Sequence, residues 1–162
     1  MRATRFNHVS IHATDMEESL RFYTEVFGME RLPSPNFSGH VEWLRLGEQQ
    51  VHLFTSDGPA PRGHHFAVDV DDFEAVYLKA KELGLLDDGT FGASVRELPG
   101  GAVQMYIRDP AGNLLEVDWP DVSSLDGSVV TAISRLEDER PQTGEASRST
   151  LYHAERGSTT PR

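Results

Sequence analysis

Apolar and polar positions alternate with period two along a series of short runs, and twice that alternation gives way to helical spacing. From Arg5 to Ala13, Val9 and Ile11 fall on one side and His8, Ser10 and His12 on the other, the mark of a half-buried strand. Thr14-Asp15-Met16-Glu17 then has capping-box spacing, with the Thr14 hydroxyl and the Glu17 carboxylate placed to satisfy free amides at a helix start. Met16, Leu20, Tyr23 and Phe27 recur on one helical face, and Gly28 stands where the helix stops. A short return strand follows around Met29–Leu32, and Pro33 and Pro35 break the chain. His40–Leu46 and Gln50–Phe54 then predict two strands joined at Gly47-Glu48.

After a linker rich in turn formers, residues 57–63, the plan restarts. His65–Val70 predicts a strand, Asp71 and Asp72 cap a helix carrying Phe73, Val76, Ala80 and Leu83, and Gly84 ends it. Strands follow at Val95–Leu98, Ala102–Arg108 and Leu114–Trp119, the last two joined by Asp109-Pro110-Ala111-Gly112-Asn113. The two halves are a cryptic repeat: His8, Asp15 and Glu17 return as His65, Asp72 and Glu74, each 57 positions on (65 − 8 = 57). Each half also closes on an apolar strand with one candidate ligand, His52 in the first and Glu116 in the second. The predicted fold is therefore α+β, with a βαβββ module at residues 5–56 and a second at 64–120. Residues 121–162 form a C-terminal tail, helical over Val129–Leu136 and disordered from Glu137 onward, where apolar anchors are few apart from Leu151 and Tyr152. An arm swapped onto a partner subunit is the sharper alternative for that tail.

Composition narrows the chemistry. At 162 residues with 38% hydrophobic content and a mean hydropathy of −0.44, the chain has the profile of a soluble protein. No apolar run reaches the ~18 residues of a membrane span, and the first residues carry no apolar stretch of a secretory leader. A net charge of −11 argues against a nucleic-acid partner, which would require Lys and Arg on phosphates. The absence of cysteine excludes disulfides, thiolate nucleophiles and thiolate metal ligands, and fits a reducing cytoplasm. Any metal would be held by imidazole, carboxylate and water, a set that suits iron, manganese, cobalt, nickel or zinc.

Alternation also sorts the candidates. With Val9 and Ile11, Val51 and Leu53, Phe66 and Val68, and Leu115 and Val117 turned to the core, the opposite face carries His8, His12, His52, His65, Glu116 and Asp118. Imidazoles and carboxylates gathered on one sheet face are costly to desolvate unless they pair or bind metal, and histidine is the commonest metal ligand. His64, His40 and His153 fall outside this set, being on a face turned away, at a strand start and in the tail.

These residues bring a resemblance with them. Asn7-His8-Val9-Ser10-Ile11, the helix Glu18–Tyr23 ending at Val26-Phe27-Gly28-Met29, His65-Phe66-Ala67-Val68, and Tyr106–Glu116 with its Arg108-Asp109-Pro110-Ala111-Gly112-Asn113 core resemble the vicinal oxygen chelate superfamily over roughly residues 5–120. That group includes glyoxalases, extradiol dioxygenases, fosfomycin-resistance enzymes and bleomycin-binding proteins. The resemblance implies two βαβββ modules curving a mixed sheet around a cup with one divalent metal, with His8, His65 and Glu116 as ligands. Open positions on such a metal admit a chelating substrate, and Fe(II) is the favoured ion. It implies substrate hydrogen bonding by Tyr106. His52 stands where glyoxalase-type members carry a fourth ligand and is open between fourth ligand, acid/base group and sheet histidine.

The leading expectation is a ring-cleaving dioxygenase acting on a small oxygen-chelating substrate, in a homodimer. A glyoxalase-like isomerase or lyase is the alternative, and a non-catalytic binder of small molecules comes third. Ring cleavage is weakened because no His lies in Leu85–Trp119, and the glyoxalase reading because His52 replaces a carboxylate. The fosfomycin-resistance pattern lacks a recognisable potassium loop at Leu98–Ala102 and has only Arg96 as a phosphonate-binding cation.

Overall fold

The computed structural model describes residue 3 and residues 5–152. Strand β1 (His8–Ala13) leads into helix α1 (Met16–Phe27), and β2 (Glu30–Leu32), β3 (Val41–Leu46) and β4 (Gln49–Thr55) follow. The second half repeats the order with β5 (His65–Asp69), α2 (Phe73–Glu82), β6 (Val95–Glu97), β7 (Val103–Arg108) and β8 (Leu114–Trp119). The first sheet has the order β1-β4-β3-β2, and the second β5-β8-β7-β6 with a further strand, β9 (Ser134–Arg135), on its outer edge. In each module the first strand pairs in parallel with the last, and the others are antiparallel.

The expected helix caps are close to those found, with one correction. The side chain that accepts at the start of α1 is Asp15, bonded by the Glu18 amide, rather than Thr14. A carboxylate serves better than a hydroxyl there because the helix terminus carries partial positive charge. Asp72 caps α2 in the same way through the Ala75 amide. Gly28 ends α1 at φ 61°, a left-handed angle that side chains with a Cβ resist.

One apolar cluster runs through both halves, from Ile11, Tyr23, Leu44 and Leu53 to Phe73, Met105, Leu115 and Val117. A buried polar joint ties them at the level of β1. The Tyr23 hydroxyl donates to Asp109 Oδ2 (2.7 Å), and the Asn113 amide donates to that oxygen and to the His12 carbonyl (2.7 Å each). Asp109 Oδ1 accepts the Ala111 and Asn113 backbone amides, so the Pro-Gly turn between β7 and β8 is closed by the carboxylate that receives Tyr23. Burial pushes the Asp109 carboxyl up, against the lowering effect of those bonds.

The tail departs from expectation. Val129–Leu136 is not one helix: a single turn, α3 (Gly127–Val130), is followed by β9, then by a second short turn, α4 (Leu136–Glu139). Ser134 and Arg135 pair with Arg96 and Glu97, and edge pairing outweighs the helical propensity of a segment too short to be helical alone. Residues 137–152, expected to be disordered, include a 3₁₀ turn at Ala146–Arg148 and side-chain contacts to the second sheet. The disorder expected beyond them lies outside the described residues, as does His153. Among the described residues no helix is long and apolar enough to cross a membrane.

Candidate active site

Strand register puts the repeat on a structural footing. His52 lies opposite Ser10, two residues after His8, and Glu116 lies opposite Ala67, two residues after His65. The next strand adds Trp43 opposite His52 and Tyr106 opposite Glu116. Side chains on paired residues share a sheet face, so each module presents one such face, away from the apolar core.

On the second module's face, His65 Nε2 stands 3.3 Å from Glu116 Oε2. The other ring nitrogen, Nδ1, is 3.0 Å from the Gly63 carbonyl. A carbonyl can only accept, so Nδ1 donates to Gly63 and fixes the ring with Nε2 turned toward Glu116, the orientation that a hydrogen bond at the far nitrogen gives a metal-binding histidine. Glu116 is buried, and its Oε1 accepts from the Gln104 amide, whose own oxygen lies 3.3 Å from the Tyr106 hydroxyl. Tyr106 packs edge-on to His65 and against Phe91. Burial first, and then the neighbouring Glu116 carboxylate, push the Tyr106 phenol up, so it remains a hydrogen-bond donor. Asp118, next along the same face, is likewise raised by burial and by Glu116, and its Oδ1 is buried without a partner.

On the first module's face the rings of Trp43, His52 and His8 form a stack. The spacing is 4.5 Å with 7° between planes for Trp43–His52, and 4.2 Å with 17° for His52–His8. His52 Nε2 bonds the Gln50 amide oxygen (2.8 Å), and His8 Nδ1 bonds the Asn7 side chain (2.9 Å). Burial, and then the proximity of His8, lower the His52 pKa, so its ring is neutral. His12, Ser10 and His65 border a separate cavity of about 250 Å³ at the joint between modules, where His12 Nδ1 is buried with no partner.

The structure thus brings the sequence candidates together in two pairs, His8 with His52 and His65 with Glu116. It does not gather three of them: among the described residues no group of three His, Asp or Glu side chains could hold a metal ion. Within one chain, His8 and His52 lie on the first sheet, and His65 and Glu116 on the second. Sequence reasoning missed Gln104, Trp43 and Phe91. Gln104 had a usable signal, since it lies two positions before Tyr106 on one strand and so shares its face. Arg45, on the same strand as Trp43, forms an ion pair with Glu30.

A model of the Glyoxalase/Bleomycin resistance protein/Dioxygenase superfamily matches residues 5–117, most of both modules. The chain belongs to this superfamily. Members typically bind a divalent metal, and the imidazole and carboxylate donors on these two faces are of the right kind for one. YwbC of Bacillus subtilis is 32% identical over 70% of this chain and 96% of its own length. Glyoxylase I 4 of Arabidopsis thaliana is 27% identical, covering 85% of this chain and 84% of the relative. Mouse mitochondrial methylmalonyl-CoA epimerase is 27% identical over 70% of this chain and 72% of the relative. Among solved structures, FosX of Listeria monocytogenes, a fosfomycin resistance protein, superposes with a TM-score of 0.60 over 75% of this chain and 98% of its own. At 14% identity that likeness is one of fold.

Proposed function

We propose that the protein is a divalent-metal enzyme of the superfamily that moves a proton on carbon beside a carbonyl, in the manner of an isomerase, lyase or epimerase, and that two copies complete its sites. The observation that carries the reading is the split into two unlike pairs on matching faces, His8 with His52 and His65 with Glu116. Each supplies part of a coordination sphere, and a twofold dimer sets the first pair of one chain against the second pair of its partner at two equivalent places. Matches to a glyoxylase and to epimerases support proton transfer over the ring cleavage expected from sequence. Ring cleavage remains the second reading, favoured by Tyr106, a protonated donor beside the Glu116 carboxylate.

The residues have distinct tasks. His8, His65 and Glu116 would hold the ion, which would supply Lewis-acid stabilisation of negative charge on a substrate oxygen. Iron(II) is the first candidate, with manganese, cobalt, nickel and zinc also compatible with these donors. Gln104 fixes Glu116 through Oε1 and leaves Oε2, the oxygen nearest His65, turned to the site. The Tyr106 hydroxyl donates to a substrate oxygen. His52 has Nε2 engaged by Gln50, so Nδ1 is the atom left to take up or release a proton. The substrate is a small molecule with neighbouring oxygens, and the net charge of −11 argues against a nucleic-acid partner.

Mixing inactive variants tests both halves of the proposal. His8→Ala and Glu116→Ala chains each lose metal, and a 1:1 mixture regains about one quarter of the sites if two chains share each site. No regain on mixing would place the ligands within one chain. Deuterium from solvent should enter a hemithioacetal or a 2-methylmalonyl thioester beside its carbonyl. Oxygen uptake with a catechol and no such exchange would transfer the assignment to ring cleavage.

A further inference from the structure

The family match stops at residue 117, yet the chain beyond it turns back over the second module's face. Register defines a row of side chains across that sheet: Arg96 opposite Gln104, Gln104 opposite Asp118, and Asp118 opposite Asp69. At one end of the row Arg96 Nη2 donates to both oxygens of Glu139, at 3.0 and 3.1 Å. At the other the Tyr152 hydroxyl donates to Asp69 Oδ1 at 2.7 Å. Three strand spacings separate these ends, about 14 Å, a distance the thirteen residues from Glu139 to Tyr152 (152 − 139 = 13) cross with slack. The C-terminal segment therefore straps the row from edge to edge, next to Glu116 and Tyr106.

What holds the strap is polar. None of the residues of α4 or of the turn at Ala146–Arg148 is buried, so little apolar area opposes their release. Arg96 differs: its side chain is only 14% exposed, against 42% for Glu139, and its Nε is buried without a partner. A guanidinium so placed needs a counter-charge. Here that charge is a carboxylate on a segment whose short helical turns bury no side chain, and a guanidinium can pair with another carboxylate in its place.

We propose that the C-terminal strap is an autoinhibitory arm: Glu139 sits on Arg96 in the place of a substrate carboxylate, and a small carboxylate competing for the guanidinium releases the arm and opens the face. The proposal names an anionic, carboxylate-bearing substrate class, and rests on the reading of this face as part of the substrate cup. Tyr152 is the second latch, weaker because its hydrogen bond lies at the exposed strand β5.

Trypsin reports strap release through cleavage after Arg148, nine residues from the altered position in Glu139→Gln and therefore unaffected by it directly. With full-length protein in excess chelator, cleavage should be about fivefold faster in Glu139→Gln than in wild type, the range expected for losing one ion pair that holds a segment closed. Malonate should accelerate cleavage of wild type to a plateau, while sodium chloride at equal ionic strength should not. Arg96→Gln should be fast already and indifferent to malonate, and Tyr152→Phe should be intermediate. Wild-type cleavage indifferent to malonate, or Glu139→Gln cut no faster than wild type, would overturn the proposal. Because the chelated protein binds no metal, failure of the shared-site assignment leaves this result unaltered, and the reverse holds as well.

Discussion

In the first module the position opposite Ser10 holds His52, pressed between the Trp43 and His8 rings, while in the second the position opposite Ala67 holds Glu116, bonded by Gln104 and faced by His65. The backbone register is the same and the means of burial are different. Ring faces bury against one another with one edge left for a single hydrogen bond, as His52 uses Gln50. A carboxylate has no apolar face, so it is buried beside polar partners, here the Gln104 amide donating to one oxygen and the His65 ring facing the other. The comparison teaches that a repeated backbone can carry two unlike polar clusters, an aromatic stack in one module and a hydrogen-bonded carboxylate in the other, by changing only which residues stand at equivalent places.

The sharpest way to break this comparison is to remove the charge from one half. Glu116→Gln should weaken metal binding by at least about 100-fold, the upper end of what loss of a supporting group costs. His52→Gln should weaken it far less, and titration with cobalt(II) followed by its visible absorption distinguishes them. Equal losses would make His52 a ligand of the same rank as Glu116. Next in size is the joint between halves: Tyr23→Phe leaves Asp109 one donor short and should lower stability by about 1–3 kcal/mol, measured by urea unfolding. A single shared transition in that variant would show that the apolar core alone couples the modules. Smaller again, Trp43→Leu removes one face of the stack and should cost about 1 kcal/mol without altering cobalt binding by the second pair.

The smallest effect is in pH dependence. Asp109 has its carboxyl raised by burial, so the native state holds a proton that the unfolded chain has released at the same pH. Its contribution is fully present below the ordinary carboxylate range and is lost as pH rises through the raised value. Urea midpoints should therefore fall with rising pH across that window, and the slope contributed there should vanish in Asp109→Asn.

Much of this was legible from residue order. Period-two alternation at Val9 and Ile11, or at Leu115 and Val117, located the strands and told which face was buried, and the shared offset of His8 and His65 anticipated the equivalence seen in register. The approach of His65 to Glu116 was also readable, because both lie on the non-core face of neighbouring strands. The separation of that pair from His8 was not, since alternation gives the face of a strand and says nothing of how two sheets meet. Nor was the strap readable. Glu139 and Tyr152 have no periodic neighbours, and their partners Arg96 and Asp69 lie 43 and 83 residues away in sequence.

Two residues of the tail have a consequence that concerns neither metal nor substrate. β6 is three residues long, and on the side away from β7 its backbone would present bare amides and carbonyls if Ser134 and Arg135 did not pair with it. Open strand edges recruit other chains. The opposite sheet guards its own outer strand, β2, with Glu30 and Arg31. The second sheet has a piece of its own chain laid along the border instead, so a protein shortened before residue 134 should lose solubility before it loses its fold.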